Sequence, residues 1–263
     1  EKFPVRSEVR GACDTLTAMP TGGLFSHAGL AGNYDAVAKY CSTGMDVNAP
    51  VGREGRSLLH YACRYGNLDI AKLLVENGAF VDAVDADGRT PLLLAAAYWQ
   101  EECVWFLIQA RSSLEIKCRG GNTIVHYLAA MGFLKAIQYI VSIEPSKEFG
   151  IKNIDGATPL HFAAQHGRTT ICRYFLQRAS HLRCNDLTAK DRSGNTPLNL
   201  ACANNHEKCA LFLLAEIRKS IPSKQALSLS PNFHAKSPRN QSSFMKKFTE
   251  ALSSPSESCK KRG

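Results

Sequence analysis

Residues 158–164 of this chain read Thr-Pro-Leu-His-Phe-Ala-Ala, and shorter copies of the same phrase recur along the sequence. The other copies are Ser57-Leu58-Leu59-His60, Thr90-Pro91-Leu92-Leu93, Thr123-Ile124-Val125-His126 and Thr196-Pro197-Leu198-Asn199. Successive copies begin 33, 33, 35 and 38 residues apart. A period of this length predicts an array of short helical units, because one unit cannot bury its own apolar face. Such an array offers an extended surface to other molecules, so binding is the leading functional hypothesis.

Each copy of the phrase has the chemistry of a helix start. The Ser or Thr suits an N-cap, where its hydroxyl accepts a hydrogen bond from a free backbone N–H. The proline that follows in three copies suits the first helical turn. Paired small residues such as Ala163-Ala164 then allow close helix packing, and a glycine such as Gly66 ends the helix. A second helix is predicted from apolar residues spaced by three and four, as at Ile70, Leu73 and Leu74.

These features resemble the ankyrin repeat, whose period and Thr-Pro-Leu-His phrase they share. The resemblance covers residues 22–220 and implies an all-α solenoid of paired antiparallel helices, with β-hairpin-like fingers and a concave recognition face. The expected repeats are 22–55, 56–88, 89–121, 122–156, 157–194 and 195–220, and the first of them is degenerate. Residues 1–21 are interpreted as a lead-in and residues 221–263 as a disordered Ser/Pro/Lys-rich tail.

Two kinds of departure from the repeat pattern stand out. Trp99 occupies the position where a helix-ending glycine is expected. Extra residues occur around Glu144–Glu148 and, in a longer stretch, at Ser180–Thr188. Insertions in repeat arrays usually map to loops, so we expect both to lie outside the packed helices.

The positive charge of the chain is concentrated at its end. The net charge is +9, and residues 221–263 alone contribute +6 from eight basic and two acidic residues. The folded part therefore has no strong basic character, and nucleic-acid binding is not predicted. No apolar run approaches the ~18 residues that a membrane span needs. The chain begins with Glu1, so we expect it to be part of a longer protein.

The ten cysteines are interpreted as reduced, structural thiols. Cys63 and Cys202 fall at small-residue core positions, and Cys103, Cys172 and Cys209 fall in second helices. No CxxC or CxxH spacing occurs, so neither a zinc site nor a cofactor is predicted. Reduced thiols are typical of a cytoplasmic or nuclear protein.

Catalysis is not predicted from the remaining polar residues. His60 with Cys63 could form a nucleophile and base, but both occupy repeat-defining positions on one short helix. The resemblance implies instead that the motif histidine hydrogen-bonds to the neighbouring turn. The chain contains neither a GxxxxGK[ST] nor a GxGxxG phosphate-binding loop. We therefore expect a protein that is not an enzyme.

The resemblance places the recognition surface on the fingers, on the residue before each Thr-Pro and on the residues after the small pair. The predicted partner-binding residues are Arg53, Arg56, Arg64, Tyr65, Asp87, Arg89, Tyr98, Trp99, Arg119, Met131, Gln165, His166 and Arg192. Arginine, tyrosine, tryptophan and methionine are enriched at protein interfaces. Six arginines against one aspartate predict a partner with acidic segments, held by bidentate pairs. The alternative is a solvated surface with scattered charge.

The aromatic residues Tyr98, Trp99 and Trp105 allow two interpretations. An exposed tryptophan pair near the middle of an array would be a binding hot spot. Packing of the same rings against the neighbouring repeat is the other possibility, and the sequence does not choose between them.

The tail carries three Ser-Pro dipeptides, at Ser230, Ser237 and Ser254, which fit proline-directed phosphorylation but also arise by chance. Added phosphate would reduce the positive charge of the tail. Apolar residues at helical spacing predict a short helix over 243–253. That helix would either dock on a partner or continue into a longer protein.

The leading hypothesis is a monomeric, non-enzymatic scaffold or adaptor that binds an acidic or extended polypeptide through the concave groove. One alternative is the substrate-targeting region of a larger enzyme, such as a ubiquitin ligase or kinase. Another is an inhibitor of transcription factors similar to the inhibitor-of-kappaB proteins, although those carry an acidic tail and this tail is basic.

Overall fold

The computed structural model describes residues 32–144, 150–178 and 187–220. Several predictions fall outside these ranges: the lead-in, most of both insertions, the three tail serines and the helix at 243–253. They stay predictions.

The described part of the chain contains eleven helices and no extended strand. The helices are α1 Tyr34–Ser42, α2 Leu58–Tyr65, α3 Leu68–Glu76, α4 Pro91–Ala97, α5 Glu101–Gln109, α6 Ile124–Met131, α7 Leu134–Ile143, α8 Pro159–Gln165, α9 Thr169–Gln177, α10 Pro197–Ala203 and α11 Glu207–Ser220. From α2 onward they alternate between a short first helix and a second helix of the same repeat. This order confirms the all-α solenoid of paired helices.

The helix starts follow the predicted capping chemistry. The side chains of Thr90 and Thr196 accept hydrogen bonds from the backbone N–H of Leu93 and Asn199, both at 3.2 Å. Gly66 has a φ of 77° at the end of α2, a left-handed conformation that suits glycine. Sequence-local rules therefore account for where the first helices begin and end.

The fingers are hydrogen-bonded turns rather than paired strands in the described residues. Within one finger, the N–H of Asp85 donates to the carbonyl of Arg89 at 3.0 Å. Adjacent fingers are joined through the backbone, since the N–H of Ala86 donates to the carbonyl of Glu54 at 2.9 Å. These bonds fix the spacing of successive fingers.

Two compact units divide the chain, residues 1–128 and residues 129–263. In the first unit, α2 packs against α4, and the second helices α1, α3 and α5 pack in succession. Leu59, Ala62 and Cys63 of α2 have no exposed surface. The small side chains at the last two positions allow the close approach of α4, as the sequence predicts.

The second unit repeats the same arrangement. Helix α8 packs against α10, and α9 packs against α11. Phe175 of α9 and Leu213 of α11 have no exposed surface. Burying a large apolar side chain stabilises the fold by about 1.5–3 kcal/mol, so the second helices depend on their neighbours for most of their stability.

Candidate functional site

Successive fingers of the first unit present arginines to solvent. Arg53 and Arg119 are exposed, and each lies in a finger next to the one that contains Asp87. The backbone N–H of Arg119 donates to the carbonyl of Asp87 at 2.7 Å, which holds the third finger against the second. The two exposed guanidinium groups thus stand on a rigid backbone frame.

Arg56 does not belong to this exposed set, which corrects the prediction from sequence. Only 3% of its surface is exposed. Its Nε donates to Asp85 Oδ2 at 3.1 Å, and its Nη1 pairs with Glu54. A buried arginine that is neutralised in this way holds two fingers together and cannot meet a partner.

Arg89 is neutralised by the same carboxylate. Its Nε donates to Asp85 Oδ2 at 3.0 Å, and its Nη2 pairs with Asp87. Burial raises the pKa of Asp85, but the backbone hydrogen bond and charge of Arg89, with side-chain hydrogen bonds from Arg56 and Arg89, outweigh burial and hold this pKa below the usual range. The half-buried Arg89 and Asp87 are therefore partners of each other in the free protein.

Sequence reasoning missed Asp85, although a signal for it was present. Asp85, Asn153 and Asp191 each stand five residues before the Thr of the helix-start phrase. Each Oδ1 accepts the backbone N–H four residues later, at 2.8, 2.8 and 2.7 Å respectively. The recurrence of Asp or Asn at this position marks the finger turn, and in the second repeat it also supplies a counter-ion.

Arg64 differs from Arg56 and Arg89 in its surroundings. Its guanidinium carbon lies 4.5 Å from the ring centre of Tyr98 and 5.5 Å from that of Tyr65, within cation–π range. We call Arg64, Tyr65 and Tyr98 the Arg64 cluster. Its members are half-buried and lie at the carboxyl-terminal ends of α2 and α4. Among the described residues, no carboxylate pairs with Arg64.

Trp99 follows the cluster directly and has a φ of 65°. The equivalent residues Gly32, Gly66, Gly132 and Gly167 also have a positive φ, which glycine adopts without strain. A tryptophan in this conformation is strained, and such strain concentrates at functional sites. Trp99 and Trp105 are both half-buried, so each ring packs on the protein and keeps some exposed surface.

The predicted residues of the second unit have mixed placements. Met131 is 2% exposed and belongs to the core, which corrects its assignment to the surface. Gln165 and His166 are half-buried at the end of α8, and Arg192 is exposed on a finger. Burial, together with electrostatic interaction with the Arg168 and His206 side chains, lowers the pKa of His166 to about 4. His166 is therefore a neutral polar group at physiological pH.

His60 and His161 of the helix-start phrase each form hydrogen bonds through both ring nitrogens. Such bonds are expected of histidines with a structural rather than a catalytic role. Nδ1 of His60 accepts the backbone N–H of Ser57 at 3.0 Å, so Nε2 carries the proton and donates to the carbonyl of Arg89 at 3.0 Å. His161 makes the equivalent bonds to Thr158 and to Asn195, both at 3.2 Å, and its Nε2 also lies 3.0 Å from the carbonyl of Ala189. Burial lowers the pKa of both imidazoles, which favours this neutral form.

The Cys63 thiol is not activated as a nucleophile. It is fully buried, and burial raises its pKa well above the usual value. In the described ranges, no three His, Cys, Asp or Glu side chains are grouped so that they could hold a metal ion. None of the helices described is both long and apolar enough to cross a bilayer.

Comparison with known proteins gives consistent matches. A family model described as ankyrin repeats in three copies matches residues 24–118 and 125–224. The human transient receptor potential cation channel subfamily A member 1 is 32% identical over 203 residues, 75% of this chain and 17% of the channel. The poly(ADP-ribose) polymerase tankyrase of Caenorhabditis elegans is 31% identical over 196 residues, 74% of this chain and 8% of that protein.

A putative E3 ubiquitin-protein ligase of Arabidopsis thaliana is 31% identical over 145 residues, 51% of this chain and 32% of that protein. The chain thus spans a third or less of the length of these relatives. Among solved structures, a chain from the complex of a Bdellovibrio bacteriovorus predatory endopeptidase with an immunity protein superposes with a TM-score of 0.63. The superposition covers 73% of this chain and 97% of the other at 24% identity, which shows the fold.

Proposed function

The chain belongs to the ankyrin-repeat family, and on this premise we propose that it is a non-enzymatic scaffold or adaptor that binds a partner polypeptide. The binding surface is formed by the fingers and by the ends of the first helices. One observation carries the proposal: most apolar side chains of the described helices are buried in packing, whereas Arg53, Arg119 and the Arg64 cluster stay at least partly exposed. Arginine and tyrosine in such positions are typical of interfaces.

The charge on this surface favours an acidic or extended partner segment. Arg53, Arg64 and Arg119 have no ion pair among the described residues, whereas Arg56 and Arg89 are neutralised internally. The positive potential therefore comes from three arginines of the first unit. Unpaired arginines favour bidentate contact with carboxylates.

The similar proteins support one further candidate. Two of them are named as a polymerase and a ubiquitin ligase, and this chain matches only part of each. The same binding surface would then serve as the targeting region of a larger enzyme. All seven described cysteines are free thiols, which favours a cytoplasmic or nuclear location for either function.

The test is a comparison of two charge-reversal variants as affinity baits. Arg53→Glu with Arg119→Glu alters the fingers, and Lys39→Glu with Lys72→Glu makes the same change of charge on the exposed faces of α1 and α3. Captured proteins are quantified against wild type, and circular dichroism checks the folding of each bait. We expect the finger variant to lose the proteins that wild type and the control variant retain.

Equal capture by all three baits would place the interface elsewhere. Loss of the same proteins from both variants would show that the interaction is non-specific charge attraction, contrary to the proposal.

A further inference from the structure

Among the described arginines of the first unit, Arg64 is held in place without being neutralised. Arg56 and Arg89 share Asp85, so their charges are balanced inside the protein. Arg64 is fixed instead by the faces of two tyrosine rings, which leave its charge uncompensated. A guanidinium that is already positioned loses less conformational entropy when it meets a ligand.

The backbone beneath the Arg64 cluster is also fixed. Gln100 Nε2 donates to the carbonyl of Arg64 at 3.3 Å, which ties the end of α2 to the following repeat. Gly66 follows the cluster in a left-handed conformation, and a Cβ at this position would lie 2.2 Å from Gln100 Oε1. This close approach holds the two first-helix ends, and with them both tyrosines, in register.

The guanidinium has hydrogen-bonding capacity that the described protein does not use. Its Nε is buried and has no hydrogen-bond partner in the described part of the chain. A buried donor without a partner is energetically costly, so few side chains of folded proteins keep one. Because Nε itself has almost no accessible surface, a ligand that accepts hydrogen bonds from this guanidinium meets its terminal nitrogens.

We propose that the Arg64 cluster is the receptor for a single carboxylate, an aspartate or glutamate side chain of the bound polypeptide. The inference rests on the proposed function and assigns the contact that anchors it. The planar guanidinium presents paired N–H donors that match the two oxygens of a carboxylate. The tyrosine rings provide apolar walls on which side chains flanking the acidic residue pack.

The cluster fits a carboxylate better than a phosphate. Phosphate groups on proteins carry up to two charges and are typically held by several arginines. Within the described chain, the Arg64 cluster contains one cation and two aromatic rings. A singly charged group beside apolar atoms is the ligand that this composition matches.

The experiment selects ligands for the full chain from a phage-displayed library of random twelve-residue peptides. Baits are wild type, Arg64→Lys and Arg173→Lys. Both variants keep the charge and replace a guanidinium that lies over an aromatic ring, since Arg173 lies 5.4 Å from the ring centre of Phe212 in the second unit. We expect wild type and the Arg173 variant to enrich peptides that share one Asp or Glu.

Synthetic copies of the enriched peptides then give the affinity by calorimetry. Exchange of the shared Asp for Asn, or Glu for Gln, should weaken binding to wild type by about tenfold or more, the typical effect of losing a charge-assisted hydrogen bond. On Arg64→Lys the same exchange should change the affinity by less than about threefold, because the paired donors are gone.

Each other outcome has a definite meaning. Enriched peptides without a shared acidic residue, or an equal penalty on wild type and Arg64→Lys, overturn the carboxylate receptor and leave peptide binding intact. Binding that becomes more than tenfold tighter when phosphoserine replaces the acidic residue makes the ligand a phosphate and overturns the inference. Failure of wild type to enrich any peptide counts against both this inference and the proposed function.

Discussion

At the scale of single residues, the helix-start phrase works through the two nitrogens of its histidine. His60 closes the capping arrangement with Ser57 through Nδ1 and reaches the next finger through Nε2. Protonation of Nδ1 would remove the acceptor, so burial that keeps the imidazole neutral also keeps the helix start intact. The resemblance to ankyrin repeats predicts the hydrogen bond from His60 to the next turn. It does not predict the hydrogen bond from His60 to the N-cap of its own helix.

Trp99 gives a test at the same scale, because its left-handed backbone is costly for any residue with a Cβ. Trp99→Gly and Trp99→Ala both remove the indole, and only glycine accepts a φ of 65° without strain. We expect the glycine variant to exceed the alanine variant by about 1 kcal/mol in free energy of unfolding, measured by urea denaturation. An alanine variant as stable as the glycine variant would show that the backbone relaxes and that no strain is stored there.

At the scale of elements, three of the first helices, α2, α6 and α8, end on a bond from the following repeat. Gln100, Arg168 and His206 directly precede the second helices α5, α9 and α11. Their side chains donate to the carbonyls of Arg64, Ala130 and Gln165 at 3.3, 2.9 and 2.9 Å. The last carbonyls of a helix lack partners within it, so these side chains stabilise the junction between repeats. Because glutamine, arginine and histidine all form this bond, no single residue type recurs at the position, and the sequence does not predict the bond.

Substitution of two glycines in the second unit tests how much such a junction contributes to the free energy of unfolding. Gly167 and Gly194 have φ values of 66° and 78°, so alanine is strained at both positions. A Cβ on Gly167 would lie 2.6 Å from Nδ1 of His206, whereas a Cβ on Gly194 would meet nothing within 4 Å. Gly167→Ala should therefore lower the free energy of unfolding by about 1 kcal/mol more than Gly194→Ala, because it also displaces the His206 bond.

Thermal and urea unfolding of the two variants provide the measurement. Equal losses would mean that the His206 ring moves aside at no cost, and the inter-repeat bond would then contribute nothing to stability.

At the scale of the whole molecule, packing within each unit accounts for the described core. The buried apolar side chains run from Val37 in α1 to Ile217 in α11. The second helices α1, α3 and α5 pack on one another in succession within the first unit, and α9 packs on α11 within the second. The stability of such an array is approximately a sum over repeats and their nearest-neighbour contacts.

Deletion of residues 221–263 tests the interpretation of the tail. Because the described core ends before this segment, the midpoint of thermal unfolding should change by no more than about 2 °C, less than 1 kcal/mol for a chain of this size. Calorimetry of the full and shortened chains makes the comparison. A fall of 5 °C or more would show that the tail packs on the repeats, contrary to the disorder predicted from its composition.

The resemblance to ankyrin repeats implied the structural role of the motif histidines. The sequence by itself determined the repeat period, the paired helices and the core positions of Cys63 and Cys202. These properties follow from local rules: a hydroxyl before proline caps a helix, small residues admit a neighbour, and apolar residues at helical spacing face one side. Each rule acts over a few residues. The same pattern occurs in several repeats of one chain, so each occurrence supports the structure predicted from the others.

Only the tertiary structure decided which arginines are available to a partner. Arg56 and Arg64 have the same side chain, and the sequence predicts both at the binding surface. Arg56 is neutralised by Asp85, 29 residues away along the chain, whereas Arg64 lies over Tyr98 of the next repeat and keeps its charge. The charge available to a ligand depends on which groups folding places within a few ångströms, and that is a property of packed neighbours rather than of sequence position.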